Sequence, residues 1–421
     1  MTTPALTVVP DNEHGEERPT LHPDALYGPI GRYVVDAAPH TEADPVAILA
    51  HLLVGVGVLA NNGPHLLAGG GRHPGSLFAT VVADSSKGRK GTAFNGARSV
   101  LAKIDHDFTT DRILGGFGSG EAFIQALSDQ NAEGEDGGPR DTRTLIRASE
   151  FASVLKVAGR DGSTLGQGIR DAFDGSTLAV RTRGHGTQIV REGTYHVGAS
   201  CDITMAELHK TLSDTDTYGG TVNRFLWVYA ARSQLLPEGG NIPEAIVEQA
   251  ADTLGTNLAT ARRHGLYTRT PGCADRWHDL YHVMASDDPP GLLGAAIARA
   301  EAQVLRLSLV YAIADGAPHV DTHHLNAAWA FWRYCRATTA LIFPPSTTLA
   351  ETLLAAIIGA GPDGLRTTAL HALLGRNTTA AVIGHALDEL SAAGQVVAET
   401  VRQPGQKGRP PTVVRYVGGQ S

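Results

Sequence analysis

The pattern of apolar and polar positions divides the chain into regions of different periodicity. Apolar residues at helical spacing run through 46–59, and the segment 45–60 predicts a buried core helix because it is shorter than a bilayer span. From residue 76 to about 235, short apolar runs alternate with helical stretches, which is typical of a mainly parallel sheet covered by helices. The predicted strands are 76–83, 144–148, 187–193, 194–200 and 224–231, and the helices between them include 91–104, 120–129 and 205–212.

The last part of the chain predicts helices and then a small separate domain. Residues 243–340 are helical in pattern, and FPPS at 343–346 marks a domain boundary. Three helical segments and two strands joined by PGQKGRPP follow, an order that indicates a winged helix-turn-helix with a basic hairpin tip. The predicted regions are a flexible tail (1–20), an N-terminal helical region (21–75), an α/β core (76–240), a helical region (241–342) and a winged-helix domain (343–421).

Composition narrows the class of protein. Hydrophobic residues make up 42% of the 421 residues, enough to form proper cores, so the chain is not a disordered protein. A formal net charge of -8 argues against a surface coated in positive charge, although a local basic patch is compatible with nucleic acid. Cys201, Cys273 and Cys335 match no metal spacing, and His323 and His324 are expected to cap or pack a helix. With no signal peptide visible, we expect a cytoplasmic protein without a membrane partner.

The stretch VVADSSKGRKGTAFN at 81–95 carries the most specific chemistry. A phosphate-binding loop needs a strand, a small-residue loop and a helix start, with a lysine for the phosphates and a hydroxyl for Mg²⁺. Lys90, Gly91 and Thr92 provide that ending. The alternative is a basic surface turn, because Ala83 occupies the place of a first glycine and Arg89 directly precedes the lysine.

Two further ingredients of ATP hydrolysis have candidates. Glu150 follows the strand 144–148 and either orders Mg²⁺ and water or is simply an acidic residue at a helix start. Arg224 and Arg232 flank the last strand of the core. Either is a candidate for the arginine that oligomeric ATPases supply to a neighbouring subunit, although arginines beside strands are most often solvated or ion-paired.

Several stretches together resemble one protein family. In order they are VADSSKGRKGT, GFGSGEAFI, LIRASEFASVL, DITMAELHKTL, NRFLWVYAARSQLLPEGG and RAEAQVLRLSLVYAIAD. They resemble a family of RecA-like P-loop ATPases of plasmids, phages and integrated elements, commonly described as replicative helicases or helicase–primase fragments. The resemblance runs from about residue 25 to the end. It implies an α/β fold with a RecA-like P-loop NTPase core, a helical N-terminal extension and a C-terminal winged helix-turn-helix.

The resemblance also assigns roles by position. It implies an ATP-binding loop made of Ser85, Ser86, Lys87, Gly88, Arg89, Lys90, Gly91 and Thr92. Lys90 resembles the phosphate lysine, while Thr92 (or Ser85 or Ser86) and Glu150 resemble the Mg²⁺-side residues. Asp202 and Thr204 lie where a sensor strand ends, and Arg224 or Arg232 resembles a finger acting in trans. The chain departs from the family at Ala83, where glycine is usual, and at Asp202, where histidine is usual.

The function implied is that of a Mg²⁺-ATP-hydrolysing DNA motor of a mobile element. It would form a ring, expected to be a hexamer, on single-stranded or forked DNA, with a primase or an initiator as a further partner. DNA phosphates would be contacted by Arg402, Lys407, Arg409 and Arg415 near the hairpin tip. Three alternatives stay open: a nucleotide-gated DNA-binding replication initiator or regulator, a phage-defence effector ATPase, and a small-molecule kinase.

Overall fold

The chain forms two compact units, Met1–Pro344 and Pro345–Ser421. The structure is a computed structural model, and it describes residues 18–128, 141–182, 186–212, 219–344, 349–374, 379–400 and 412–417. The division between the units falls inside the FPPS segment at 343–346. The predicted flexible tail lies outside the described residues as far as residue 17.

Helices and strands alternate along the middle of the first unit, and its described elements after Tyr229 are helices. Its described helices are α1 (Gly28–Ala37), α2 (Pro45–Leu59), α3 (Lys90–Ile104), α4 (His106–Asp111), α5 (Gly120–Ser128), α6 (Phe151–Ala158), α7 (Leu165–Asp174), α8 (Met205–Thr211), α9 (Glu244–Ala261), α10 (Pro271–Ser286), α11 (Leu292–Ile297), α12 (Ala300–Asp315) and α13 (Thr322–Ile342). Its described strands are β1 (His65–Ala68), β2 (Gly71–Pro74), β3 (Phe78–Ala83), β4 (Ile113–Leu114), β5 (Arg143–Ala148), β6 (Leu178–Thr182), β7 (Gly186–Val190), β8 (His196–Thr204) and β9 (Phe225–Tyr229). Within the described ranges, no helix combines the length and the apolar character needed to cross a membrane.

A five-stranded parallel sheet organises the first unit, and the mainly parallel sheet predicted from the sequence is confirmed. Its strand order is β4-β5-β8-β3-β9, with every neighbouring pair parallel. All six residues of β3 are buried, as expected of a central strand covered on both faces. Although β3 is the first of these strands in the chain, it lies between the last two, β8 and β9. The carboxyl end of β3 is therefore a topological switch point, the place where open α/β sheets bind ligands.

Helices α2 and α3 cover the sheet beside β3. All fifteen residues of α2 are buried, which confirms the predicted core helix. Helix α3 is amphipathic, because its buried residues recur at helical spacing while Asn95 and Arg98 are exposed. The buried positions of α3 are Ala93, Phe94, Gly96, Ala97, Val100 and Leu101.

Three details of the first unit differ from the sequence predictions. Part of the predicted N-terminal helical region 21–75 is not helical, because the segment after α2 forms the antiparallel hairpin β1–β2. The predicted strand 187–193 does not join the parallel sheet, because β7 pairs antiparallel with β6 in a separate two-stranded sheet. The predicted strand 224–231 is shorter, since a 3-10 turn over Val222–Arg224 precedes β9. For the segment 187–193, the local pattern indicated an extended segment without identifying its partner.

The second unit is a small α+β domain. Its described elements are α14 (Leu349–Gly359), β10 (Leu365–Arg366), α15 (Thr367–Leu373), α16 (Ala380–Ala392), β11 (Val396–Thr400) and β12 (Thr412–Tyr416). The strands form an antiparallel sheet in the order β10-β12-β11. Leu353, Leu370, Leu390 and Val414 are among the residues of its own hydrophobic core. The predicted three helices and two strands are present, and the short strand β10 was not predicted.

Candidate functional site

The segment between β3 and α3 forms a short loop at the carboxyl edge of the sheet. The Ser85 hydroxyl accepts a hydrogen bond from the Lys87 N–H at 3.2 Å and starts a 3-10 turn over Ser86–Gly88. Arg89 then takes a left-handed conformation with φ of 52°, and α3 begins at Lys90. Strand, loop and helix follow in the order that the sequence predicts.

Two glycines show where the loop is tight and where it is open. A Cβ on the buried Gly88 would lie 2.5 Å from the Cβ of Ala83, so the loop packs closely on the strand end. A Cβ on Gly91 would have no neighbour within 4 Å. The first α3 hydrogen bond runs from the Ala93 N–H to the Arg89 carbonyl at 3.1 Å. The N–H groups of the residues before Ala93 therefore have no acceptor within the helix, and they form the positive end of the helix dipole.

The side chain of Lys90 turns back across this loop. Its ammonium donates to the Ser85 carbonyl at 3.3 Å. Partial burial lowers the pKa of Lys90, while the carboxylates of Asp202, Glu207 and Asp84 oppose that shift. Asp84 follows β3, Asp202 lies near the end of β8, and Glu207 lies in the first turn of α8. The ammonium therefore lies where the loop meets the ends of two central strands.

Asp202 belongs to a buried polar network beneath the loop. Its carboxylate forms an ion pair with Arg147 of β5, whose guanidinium also donates to the Ser200 carbonyl at 3.1 Å and lies 4.1 Å from the Phe94 ring centroid. His51 Nδ1 lies 2.7 Å from the Ser200 hydroxyl, and His51 Nε2 lies 3.6 Å from Asp202. Burial lowers the pKa of His51 to about 4, so its ring is neutral at pH 7. The predicted sensor residue Asp202 is thus buried in the core, where it contacts Arg147 and His51.

Thr204, the second predicted sensor residue, caps helix α8. Its hydroxyl donates to Glu207 Oε2 at 2.8 Å and accepts the Glu207 N–H at 3.2 Å, which makes a capping box. The hydrogen bonds from the Thr204 hydroxyl and N–H lower the pKa of Glu207, and Lys90 adds to the shift. Sequence reasoning missed Glu207, although the T-x-x-E spacing was a usable signal for the cap.

Oxygen donors at the same edge suit a Mg²⁺ ion. Glu150 follows β5 and is exposed; it occupies the N-cap position of α6, but its carboxylate makes no capping bond. Thr92 is partly exposed on the first turn of α3. The Tyr229 hydroxyl donates to Asp84 Oδ2 at 2.6 Å and fixes that carboxylate beside the end of β9. Hydroxyl and carboxylate oxygens are the ligand types that Mg²⁺ prefers.

Arg224 lies at the opposite, amino edge of the sheet. The neighbouring Phe225 pairs with Phe78, at the start of both strands. The Arg224 guanidinium lies 2.6 Å from Asp174 and donates to the Gly220 carbonyl. The structure therefore does not bring Arg224 to the loop of its own chain, and its contacts are those of a buried ion pair.

Arg232 lies at the carboxyl edge and shares a carboxylate with the loop. It forms an ion pair with Glu42 Oε1, while Arg89 Nη2 lies 2.7 Å from Glu42 Oε2. The Leu236 N–H donates to Glu42 Oε1 at 2.8 Å; this bond and Arg232 hold the pKa of Glu42 below its usual range. Sequence reasoning missed Glu42, because an acid shortly before a helix start looks like an ordinary helix-start residue.

A His and Asp cluster elsewhere in the first unit has a structural role. Ligand atoms of Asp315, His323 and His324 lie within 4.8 Å of one another. His324 Nδ1 accepts the Asp321 N–H at 2.9 Å, so the ring proton is on Nε2, which lies 3.2 Å from Asp315. Both nitrogens of His324 are occupied by hydrogen bonds. This arrangement is the capping role that the sequence predicts.

The predicted DNA-contacting residues of the second unit are only partly described. Arg402, Lys407 and Arg409 lie outside the described residues. Arg415 pairs with Glu399 at 2.5 Å across β11 and β12. The exposed face of α16 carries Asp388 and Glu389, so this helix presents carboxylates where a phosphate-binding face needs cations.

Comparison of the chain with models of protein families and with curated proteins found no match in either case. The geometry of the β3–α3 loop and the resemblance of the motifs are therefore the basis for a functional proposal. In that geometry, a half-buried lysine, a free helix start and several carboxylates converge on the switch point of a parallel sheet.

Proposed function

We propose that the chain binds Mg²⁺-ATP at the carboxyl edge of its sheet and hydrolyses it, with a RecA-like P-loop NTPase core. The observation that carries this proposal is the position of Lys90, the first residue of the fifteen-residue helix α3. Its ammonium is hydrogen-bonded across the loop at 3.3 Å and stands in the field of three carboxylates. A basic surface turn, the alternative, would not require the lysine side chain to fold back over the loop in this way.

The proposed role of Lys90 and the start of α3 is to bind the negatively charged phosphates of ATP. Phosphate oxygens would replace the Ser85 carbonyl as the partner of Lys90 and would accept hydrogen bonds from the N–H groups that start α3. A lysine and a helix start placed beforehand stabilise negative charge on the terminal phosphate without reorganisation in the transition state. Mg²⁺, when bound, would neutralise charge on the β- and γ-phosphate oxygens. Thr92 and Glu150 are the residues proposed to hold it.

The attacking water also needs an orienting group. Glu150 supports this role because it is exposed at the carboxyl edge and makes no capping bond. Glu207 is a weaker candidate, since both of its carboxylate contacts described above are made with Thr204. Glu150 is therefore proposed to orient water for in-line attack.

Work on DNA is proposed for the second unit. Its order of helix, strand, helix, helix, strand and strand supports a winged helix-turn-helix. The segment 401–411 between its last two strands contains Arg402, Lys407 and Arg409. Phosphate contacts from these residues would give binding with little sequence dependence. Translocation on single-stranded or forked DNA, and a ring of subunits, are proposed on the family resemblance.

Hydrolysis by the wild type, Lys90→Ala and Arg98→Ala tests the proposal. Arg98 is a matched control, because it is an exposed cation on the same helix. ATP turnover is measured with and without single-stranded DNA at low and moderate salt. We expect Lys90→Ala to lower turnover about hundredfold, as for loss of one preorganised charge partner, and Arg98→Ala to leave it unchanged.

The possible outcomes separate the functions. Turnover stimulated by DNA and lost in Lys90→Ala supports a nucleic-acid motor. A folded wild type that binds ATP without turnover contradicts hydrolysis and supports the nucleotide-gated DNA-binding alternative. A wild type that binds no nucleotide contradicts the whole proposal.

A further inference from the structure

One buried carboxylate joins the phosphate loop to the segment that follows β9. Glu42 lies between α1 and α2 and is 1% exposed. One of its oxygens is paired with Arg89 of the loop at 2.7 Å, and the other is paired with Arg232. The two guanidiniums are therefore held side by side by a single group.

Arg232 is fixed in its place by the chain around it. The Ser233 N–H donates to the Glu42 carbonyl at 3.1 Å, and the Ser233 hydroxyl donates to the Ala43 carbonyl at 2.9 Å. The Gln234 amide donates to two carbonyls of the same segment, Ala38 at 2.9 Å and Thr41 at 2.8 Å. The Ala231 N–H donates to Asp44 Oδ2 at 2.9 Å, so the segment after β9 is attached to the α1–α2 connection on both sides of Arg232.

Both arginines keep capacity for an anion. A guanidinium has five N–H donors, and Glu42 contacts only one nitrogen of each arginine. The Arg89 side chain is 42% exposed and that of Arg232 is 31% exposed. Two positive charges face one negative charge at this position, so the pair retains an excess positive charge beside the loop. Guanidinium pairs are well suited to phosphate oxygens.

Resting on the proposed nucleotide function, we propose that Arg232 and Arg89 bind the terminal phosphate of ATP held by their own subunit, positioned by Glu42. A finger that acts in trans has to face a neighbouring subunit's nucleotide. Arg232 instead shares its carboxylate with an arginine of its own phosphate loop. The phosphate site is therefore complete within one chain, and a ring is not needed to supply this arginine.

The test compares the affinities of Mg²⁺-AMP-PNP and Mg²⁺-ADP, measured by calorimetry, for the wild type and its variants. We expect Arg232→Ala to weaken AMP-PNP binding about tenfold to hundredfold, as for loss of one charge-assisted hydrogen bond. The affinity for ADP, which lacks the terminal phosphate, should change less than about twofold. Arg32→Ala, at an exposed arginine paired with Asp36, is the charge-matched control and should change neither affinity.

Glu42→Gln tests the positioning role. The amide oxygen can still accept the Leu236 N–H, so the local backbone contact is kept. We expect AMP-PNP binding to weaken about tenfold, as for loss of a charge-assisted bond that orders the arginines, with ADP binding unchanged. A purely structural role would change the two affinities together, and that result, or tighter AMP-PNP binding, would overturn the positioning role.

A mixing experiment separates the two directions of action. Lys90→Ala protein, which keeps Arg232, is titrated into Arg232→Ala protein, which keeps Lys90, and AMP-PNP binding is measured. A cis arginine predicts that binding stays weak, whereas recovery of affinity would show action in trans and overturn the inference. If the wild type binds nucleotide and Arg232→Ala binds AMP-PNP with the same affinity, this inference alone is refuted. If the wild type binds no nucleotide, the proposed function is refuted as well.

Discussion

Each edge of the parallel sheet carries two arginines on one carboxylate, but an arginine is the most buried member at the amino edge and the carboxylate is the most buried member at the carboxyl edge. At the amino edge, Arg224 is 9% exposed and its partner Asp174 is 28% exposed, with Arg299 on the other oxygen at 2.9 Å. At the carboxyl edge the carboxylate of Glu42 is buried, and its two arginines face outward. The same set of charges therefore buries the guanidinium of Arg224 at one edge and the carboxylate of Glu42 at the other.

The reversal has a physical cause. A buried guanidinium needs partners inside the protein, and the two terminal nitrogens of Arg224 find them in the Gly220 carbonyl and Asp174. Behind it, the buried Arg306 donates to the carbonyls of Ser76 at 3.1 Å and Phe173 at 2.9 Å. A buried carboxylate, in contrast, leaves the outer donors of its arginines free. Burial order, more than residue type, decides which arginine can bind a ligand.

Removing the buried arginine should give the largest change in stability. We expect Arg224→Ala to lower the free energy of unfolding by about 3 kcal/mol, because it breaks a buried ion pair. Turnover per folded molecule should stay at the wild-type level. Each carboxylate keeps its second arginine in these variants, and Arg232→Ala should lose less stability because the Arg232 side chain is 31% exposed against 9% for Arg224. Denaturant unfolding and turnover of both variants check this, and equal losses of stability would remove the distinction between the edges.

The two glycines beside the loop give the next largest effect. Gly88→Ala places a Cβ 2.5 Å from that of Ala83, so we expect a loss of about 2 kcal/mol from overpacking, together with weaker nucleotide binding. Gly91→Ala meets nothing within 4 Å and should stabilise the first turn of α3 by up to about 1 kcal/mol. Thermal unfolding of both variants measures the difference. A neutral Gly88→Ala would mean that the loop does not pack tightly on β3.

Much of the carboxyl edge could be predicted from the sequence, because its elements are local. The apolar run of β3, the loop and the periodicity of α3 are contiguous, and the parallel sheet follows from alternating strands and helices. Even the difference between Arg224 and Arg232 is present in the sequence, since in a parallel sheet a residue before a strand and one after it lie at opposite edges. The prediction treated them as equivalent.

The partners of these groups could not be predicted. Glu42 reaches the loop because the α1–α2 connection packs against the segment after β9. These two segments are far apart in the sequence, so no local pattern predicts their contact. Arg147 was visible as a cation inside an apolar strand, but its choice of Asp202 depends on β5 lying next to β8. The role of a charged side chain inside a core therefore depends on the groups that pack around it.

Two buried histidines, of which only His51 belongs to the network beneath the loop, should make the free energy of unfolding depend on pH. His51 and His196 have pKa values lowered to about 4 by burial, against an ordinary value of 6.5. Between these values the unfolded chain binds more protons than the folded one, so stability falls as the pH falls from about 6.5 to about 4. Each histidine contributes about 1 kcal/mol per pH unit in that window.

His51→Gln isolates one of these contributions. Burial raises the pKa of Asp44 to about 6, which opposes the histidines because the folded state then takes up a proton first. That effect is common to the wild type and the variant, so it cancels in the difference between their slopes. We expect the variant to lose stability less steeply from pH 6 to pH 4.5, by about 1 kcal/mol per pH unit. Parallel curves in urea unfolding would show that His51 does not titrate as described.

The smallest effect is expected in the second unit, where both members of a pair are exposed. The side chains of Arg415 and Glu399 are 37% and 52% exposed, so Arg415→Ala should cost less than about 1 kcal/mol. Because Glu399 already neutralises Arg415, the slope of log affinity for DNA against log salt should change by less than about 0.9 in Arg415→Ala, the value for one phosphate.

Arg409→Ala, by contrast, should reduce that slope by about 0.9 if the segment 401–411 binds DNA. Equal slopes for the wild type and Arg409→Ala would contradict the DNA role. A slope reduced by about 0.9 in Arg415→Ala would mean that the Arg415–Glu399 ion pair breaks when DNA binds.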